Sequence, residues 1–129
     1  MGAYVLGWCL VILAGGLEVL WPILMKQSHQ AAGWPRIGWL ALMMATMCAS
    51  FGLLALAVGK RFDLPIGTAY AVWTGMGAAG AAIVGILLFN ETRSTLRLVC
   101  LALVIIGIVG LMLSRQPPQV PAPTSEMRQ

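Results

Sequence analysis

The sequence predicts an all-α membrane protein of four transmembrane helices, and three observations point there. Of its 129 residues 60% are hydrophobic and 9% charged, whereas a soluble domain carries about a quarter charged residues because its surface must face water. The few charges cluster between apolar runs instead of spreading through them. Those runs fall at about residues 4–25, 38–58, 65–89 and 96–113, each close to the ~20 residues a helix needs to cross a ~30 Å hydrocarbon core. Residues 1–114 therefore form one transmembrane domain of four helices, with no room for a separate catalytic domain.

The first run reads as a retained span. It lacks a basic leader, is too long for the apolar core of a secretory signal, and contains Glu18 and Trp21. The first break, 26–36, holds Lys26, His29, Gly33 and Pro35, and Trp34 and Trp39 flank the second run where an aromatic belt would sit. In the second break, 59–64, Asp63 followed by Pro65 predicts a capped start for the third helix. The third break is 90–95. All three are short, so consecutive helices are antiparallel neighbours. Gly75, Gly77, Gly80 and Gly85 thin the third helix, and Gly107 and Gly110 the fourth. Small residues let helix backbones approach where lipid removes any hydrophobic drive between them; Gly107 and Gly110 are predicted to pack between subunits. From Arg115 the chain turns proline-rich, and 115–129 is predicted to be a disordered tail.

Composition narrows the chemistry. Cys9, Cys48 and Cys100 each sit inside an apolar run without a second Cys or a His at metal-ligand spacing, so no metal site is expected. There is no Ser/His/Asp set and no glycine-rich nucleotide loop in a strand–helix context, which argues against an enzyme. The net charge of +4 reads as loop Lys and Arg beside anionic lipid headgroups, with no nucleic acid implied. An even number of spans puts both termini on one side, together with the second loop. That side carries Lys60, Arg61, Arg115 and Arg128; the other carries Lys26, Arg36, Arg93 and Arg97, four against four. Orientation follows the Lys/Arg excess, and a chain without one is expected to insert both ways round.

Glu18 is the charged residue well inside a span. A carboxylate at membrane depth costs ~2.5–3.5 kcal/mol on insertion scales, so it persists where it faces a bundle interior or wet cavity and works there. The plainer alternative is a carboxyl that only hydrogen-bonds a neighbouring helix. Desolvation disfavours the charged form, which suits the group to hold a proton or an organic cation but not both. That exclusion is the minimal requirement for proton-coupled cation exchange, with protons as coupling ion and no other cofactor. Gly15 and Trp21, three residues either side, share the face of Glu18. Tyr70, Trp73, Gly77 and Gly80 form one stripe of the third helix; Met43, Met47, Ser50 and Leu54 form another on the second. Aromatic faces attract cations, and the Tyr, Trp and Ser donors can orient a carboxylate.

Four spans, Glu18-Val-Leu-Trp21 followed by Met25-Lys26, and the stretch from Leu64-Pro-Ile-Gly-Thr-Ala-Tyr70 through Trp73-Thr-Gly75-Met-Gly77 resemble the small multidrug resistance family over residues 4–114. Trp21, Ser50-Phe51 and the glycine–alanine run after Trp73 are most similar to its guanidinium-exporter branch. The resemblance implies a multi-pass protein of the bacterial inner membrane, working as an antiparallel, dual-topology homodimer with one shared central site. Protons and a guanidinium-class cation would compete there for the paired Glu18 carboxylates. Trp21, Ser50 and the backbone near Gly15 would orient each carboxylate, Tyr70 and Trp73 would line the site, and the Gly75–Gly77 region would bend the third helix. A planar guanidinium donates bidentately to a carboxylate, which suits this arrangement. Pro22 departs from the pattern, and its missing N–H predicts a kink in the first helix beside the site. Two other functions are left open at this stage: export of quaternary ammonium or polyaromatic cations, and a non-transporting accessory membrane subunit.

Overall fold

The computed structural model describes residues 2–62 and 64–114. Five helices follow in order: α1 Gly2–Glu18, α2 Leu20–Gln30, α3 Trp34–Ala57, α4 Ile66–Leu88 and α5 Thr95–Leu113. α1 and α2 form one span of 29 residues, so there are four helices long and apolar enough to cross a membrane. The expected tail at 115–129 and the expected capping side chain of Asp63 lie outside the described residues.

Several boundaries differ from the sequence-based ones. The first span does not end near residue 25 but runs on to Gln30, which makes His29 helical and places Lys26 inside a helix. At ~1.5 Å per residue this span of 29 residues is about 43 Å long, well beyond a ~30 Å hydrocarbon core. Its last turns therefore stand at headgroup level, where Lys26 and His29 need not be desolvated. Because the helix continues, the first loop shrinks to residues 31–33, turning at Gly33 with φ +64°, a left-handed conformation that glycine adopts without strain. α3 then starts at Trp34 with Pro35 in its first turn, where a missing N–H costs nothing. α4 begins at Ile66 with Pro65 at its N-cap position and no side-chain cap. α5 is capped by Ser94, whose hydroxyl accepts from the Arg97 N–H at 3.3 Å.

The interruption in the first span lies at Val19, whose N–H bonds Gly16 O at 3.3 Å in a tighter turn. Its cause is three residues further on. Pro22 has no N–H to give the Glu18 carbonyl, and its ring crowds that same carbonyl four residues back. The kink expected from Pro22 is thus relieved at Val19, directly beside the membrane carboxylate.

The break sorts the packing. α1 lies against both α3 and α4, whereas α2 stays on α3 and leaves α4. The core is made of Trp8, Val11 and Ala14 of α1, Leu54 and Ala57 of α3, Ala69, Val72 and Trp73 of α4, and Leu64 and Ile108. Among the described residues α5 rests on α4 alone. Leu98, Val99, Leu103, Ile106, Val109 and Leu113 along it are exposed, the expected state of a face that meets lipid or another subunit.

Candidate functional site

Glu18 ends α1 on the face turned to α3 and α4. The Trp21 Nε1–H donates to Glu18 Oε1 at 2.8 Å, and the Ser50 hydroxyl lies 3.0 Å from Oε2. Ser50 is fully buried, 2.8 Å from the Ala14 carbonyl, and accepts from the Trp73 Nε1–H at 2.9 Å. Three helices thus converge on one acid through a chain of polar contacts. Trp21 comes to it by spacing alone, since residues three apart on a helix are neighbours. Ser50 and Trp73 come from 32 and 55 residues away by tertiary packing.

One hydroxyl hydrogen cannot serve both the Ala14 carbonyl and Glu18. With Trp73 filling one Ser50 lone pair, the choice is set by the acid. An ionised Glu18 accepts from Ser50; a protonated Glu18 donates to Ser50, and the hydroxyl hydrogen turns to Ala14 O. Both protonation states can be hydrogen-bonded without moving a heavy atom.

Trp73 is held rigidly. Phe51 packs against its ring at 5.0 Å between centroids and Tyr70 at 5.4 Å, both tilted. Tyr70 is 53% exposed and makes no hydrogen bond to Glu18 among the described residues; it reaches the site through its contact with the Trp73 ring. Next to it an apolar cavity of about 300 Å³ is bounded by Phe51, Leu54, Ala55, Val58, Ile66 and Tyr70.

The glycines divide by what they face. A Cβ on Gly77 would lie 2.5 Å from Glu18 Cγ, and one on Gly15 3.0 Å from Met76 Cβ. These two, with Gly80 against Val19, let α1 and α4 touch at the depth of the acid. Gly15 therefore admits Met76, and the carboxylate takes its hydrogen bonds from Trp21 and Ser50. Gly75 faces Ile108 of α5, where a Cβ would meet Cδ1 at 2.9 Å. α4 runs unbroken through Gly75 and Gly77; the interruption in this state is at Val19 instead. Gly107 and Gly110 face open space, with nothing within 4 Å.

Sequence spacing did not single out Met76, Phe51 as a ring partner, or the Ala14 carbonyl. Only the last carries no sequence signal at all, since every residue has a carbonyl. Replacing Ser50 by Ala should leave the buried Trp73 N–H without an acceptor and lower stability by about 1–3 kcal/mol. Trp73→Phe combined with Ser50→Ala should cost less than the sum of the two single changes, as read by thermal unfolding in detergent.

A family profile described as Small Multidrug Resistance protein matches residues 6–104. The chain belongs to the small multidrug resistance family. It is 45% identical over 109 residues to a protein of Escherichia coli (strain K12) named guanidinium exporter, covering 84% of this chain and 98% of the relative. Proteins of the same name from Citrobacter freundii and Salmonella typhimurium are 46% identical over the same length and shares. As a member of this family the chain is a multi-pass transporter of the bacterial inner membrane, and its carboxyl, indole and hydroxyl groups form the polar centre of the described residues.

Proposed function

We propose that this protein is a proton-coupled antiporter exporting guanidinium and small substituted guanidinium ions, working as an antiparallel homodimer with Glu18 of both subunits in one site. The observation that carries the reading is the Glu18 carboxyl held by Trp21 and Ser50 at 2.8 and 3.0 Å. Two fixed donors set the plane of the carboxylate and leave its remaining lone pairs for a planar cation, whose parallel N–H groups match them. The relatives named guanidinium exporter support the choice of ion.

The homodimer reading is supported by the balanced Lys/Arg count of the two sides, loops and 115–129 together, and by the bare faces of Gly107 and Gly110. Exchange follows from competition. Guanidinium binds the ionised acid, a proton neutralises it, and the Ser50 hydroxyl follows either state. The site then faces one side of the membrane or the other with one kind of passenger at a time.

Guanidinium affinity is expected to fall as pH falls, because protonation removes the charge that binds the ion. Calorimetry on purified protein over an acid-to-alkaline series checks this, and a flat profile would count against competition at Glu18. The function itself is tested in proteoliposomes. Guanidinium should drive proton movement in the opposite direction, and tetraphenylphosphonium should drive little. Transport of the aromatic cation without any guanidinium response would overturn the assignment.

A further inference from the structure

Where α2 departs from α4 after the Val19 break, a wedge of about 440 Å³ opens between them. Pro22, Ile23, Met25, Lys26 and His29 line one wall; Ala81, Ala82, Val84, Gly85 and Phe89 line the other, with Glu91 at the mouth. Pro22, Met25 and His29 follow Glu18 at i+4, i+7 and i+11, so the wedge runs along the same helix face as the membrane acid. Its lining stops at Pro22, one turn beyond Glu18.

Its charged groups are arranged asymmetrically. The Lys26 ammonium sits 3.5 Å from the centroid of the Phe89 ring, so the ring already binds a cation. Glu91 folds back against Gly85, where a Cβ would lie 2.7 Å from its carboxylate. Its Oε2 accepts from the Arg97 guanidinium at 2.5 Å, and Oε1 accepts no hydrogen bond among the described residues. His29, exposed at the end of α2, is the remaining titratable group on the wall. An aromatic face and a free carboxylate oxygen two residues apart in sequence fit a planar organic cation: the ring takes its face, and Oε1 takes an N–H edge. The alanine and valine wall offers no ligands to a metal cation.

We propose that this wedge is a vestibular binding site for the transported guanidinium-class cation, with Phe89 and Glu91 as its recognition groups and Lys26 as a tethered cation that competes for it. The identity of the solute rests on the exporter reading above; the site and its competitor do not. An arriving cation displaces the Lys26 ammonium from Phe89 toward the headgroups and then moves along the face of Pro22 to Glu18. Lys26 returns behind it.

The test uses the full chain in lipid bicelles with labelled methionine methyl groups. Met25 lines the wedge, and its signal is identified by Met25→Leu. Glu18→Gln disables the central site, so any response to guanidinium chloride at Met25 reports the wedge. A saturable shift is expected, with half-saturation falling roughly two- to five-fold when Lys26→Gln removes the competing cation. Phe89→Leu and, separately, Glu91→Gln should weaken it, and the other methionine signals show whether each variant is folded. The proposal is overturned if Glu18→Gln/Lys26→Gln protein gives no saturable shift, if sodium chloride at equal ionic strength gives the same one, or if neither Phe89→Leu nor Glu91→Gln weakens it. Failure of the exporter reading shows separately, as wild-type proteoliposomes in which guanidinium moves no protons.

Discussion

Replacing Glu18 by Gln is expected to abolish guanidinium-driven proton movement while leaving the helices folded. Gln has the same shape and can still accept from the Trp21 indole, which donates to Glu18 Oε1 at 2.8 Å, and it can still meet the Ser50 hydroxyl, 3.0 Å from Oε2. What it lacks is charge and a titratable proton. Hydrogen bonds to a charged partner contribute about 1.5–3 kcal/mol each, so losing two to a bidentate guanidinium lowers affinity by roughly 10²–10⁴-fold. Coupling should vanish altogether, because the variant has no proton to exchange. Glu18→Asp keeps the acid but draws it back from Trp21 and Ser50, and should retain weak, still coupled transport. Flux from proteoliposomes with a pH-sensitive dye inside distinguishes the three proteins. Unchanged coupled flux in the Gln variant would remove Glu18 from the mechanism.

The second large effect is expected at Gly77, where one methyl group would meet the acid itself. A Cβ there would stand 3.0 Å from Glu18 Cβ and 2.5 Å from its Cγ, the second a distance that real side chains do not keep. Either α1 and α4 separate, or Glu18 rotates away from Trp21 and Ser50. Overpacking of this kind costs about 1–3 kcal/mol, but transport should suffer more than stability, because the carboxylate must hold its place to bind and release. Gly107→Ala is the informative companion. A Cβ added to Gly107 would meet nothing within 4 Å beyond its own helix backbone among the described residues, so the isolated subunit should tolerate the change. A loss of assembly there would identify its partner surface as another subunit. Thermal melting alongside flux measures both variants, and a Gly77→Ala protein that melts and transports like wild type would refute the close approach of α1 and α4.

The membrane class and the central acid were legible in the sequence because both rest on composition and short-range spacing. An apolar run of about 20 residues has one stable solution in lipid, a helix that satisfies its own backbone. A carboxyl inside such a run is costly wherever it points. Trp21 was legible for a similar reason, three residues along the same helix. The ends of the helices were less so. Polar residues 26–30 looked like a loop, yet a helix can leave the hydrocarbon and continue in the headgroup region, where neither medium penalises it. Pro22 announced a break and placed it beside Glu18, since its ring crowds the carbonyl four residues back.

By itself, then, the sequence determined the solvent, the number of spans, the acid within the first span and the indole next to it, all consequences of hydropathy and of a 3.6-residue period. Tertiary structure alone decided that Ser50 would stand between Trp73 and Glu18, and that Gly77 would press on the acid while Gly75 met α5. It also decided that α2 would leave α4 and open a wedge ending at Phe89 and Glu91. Those outcomes depend on how one helix surface seats against another. Steric fit between residues far apart in the chain settles that, and no local spacing encodes it.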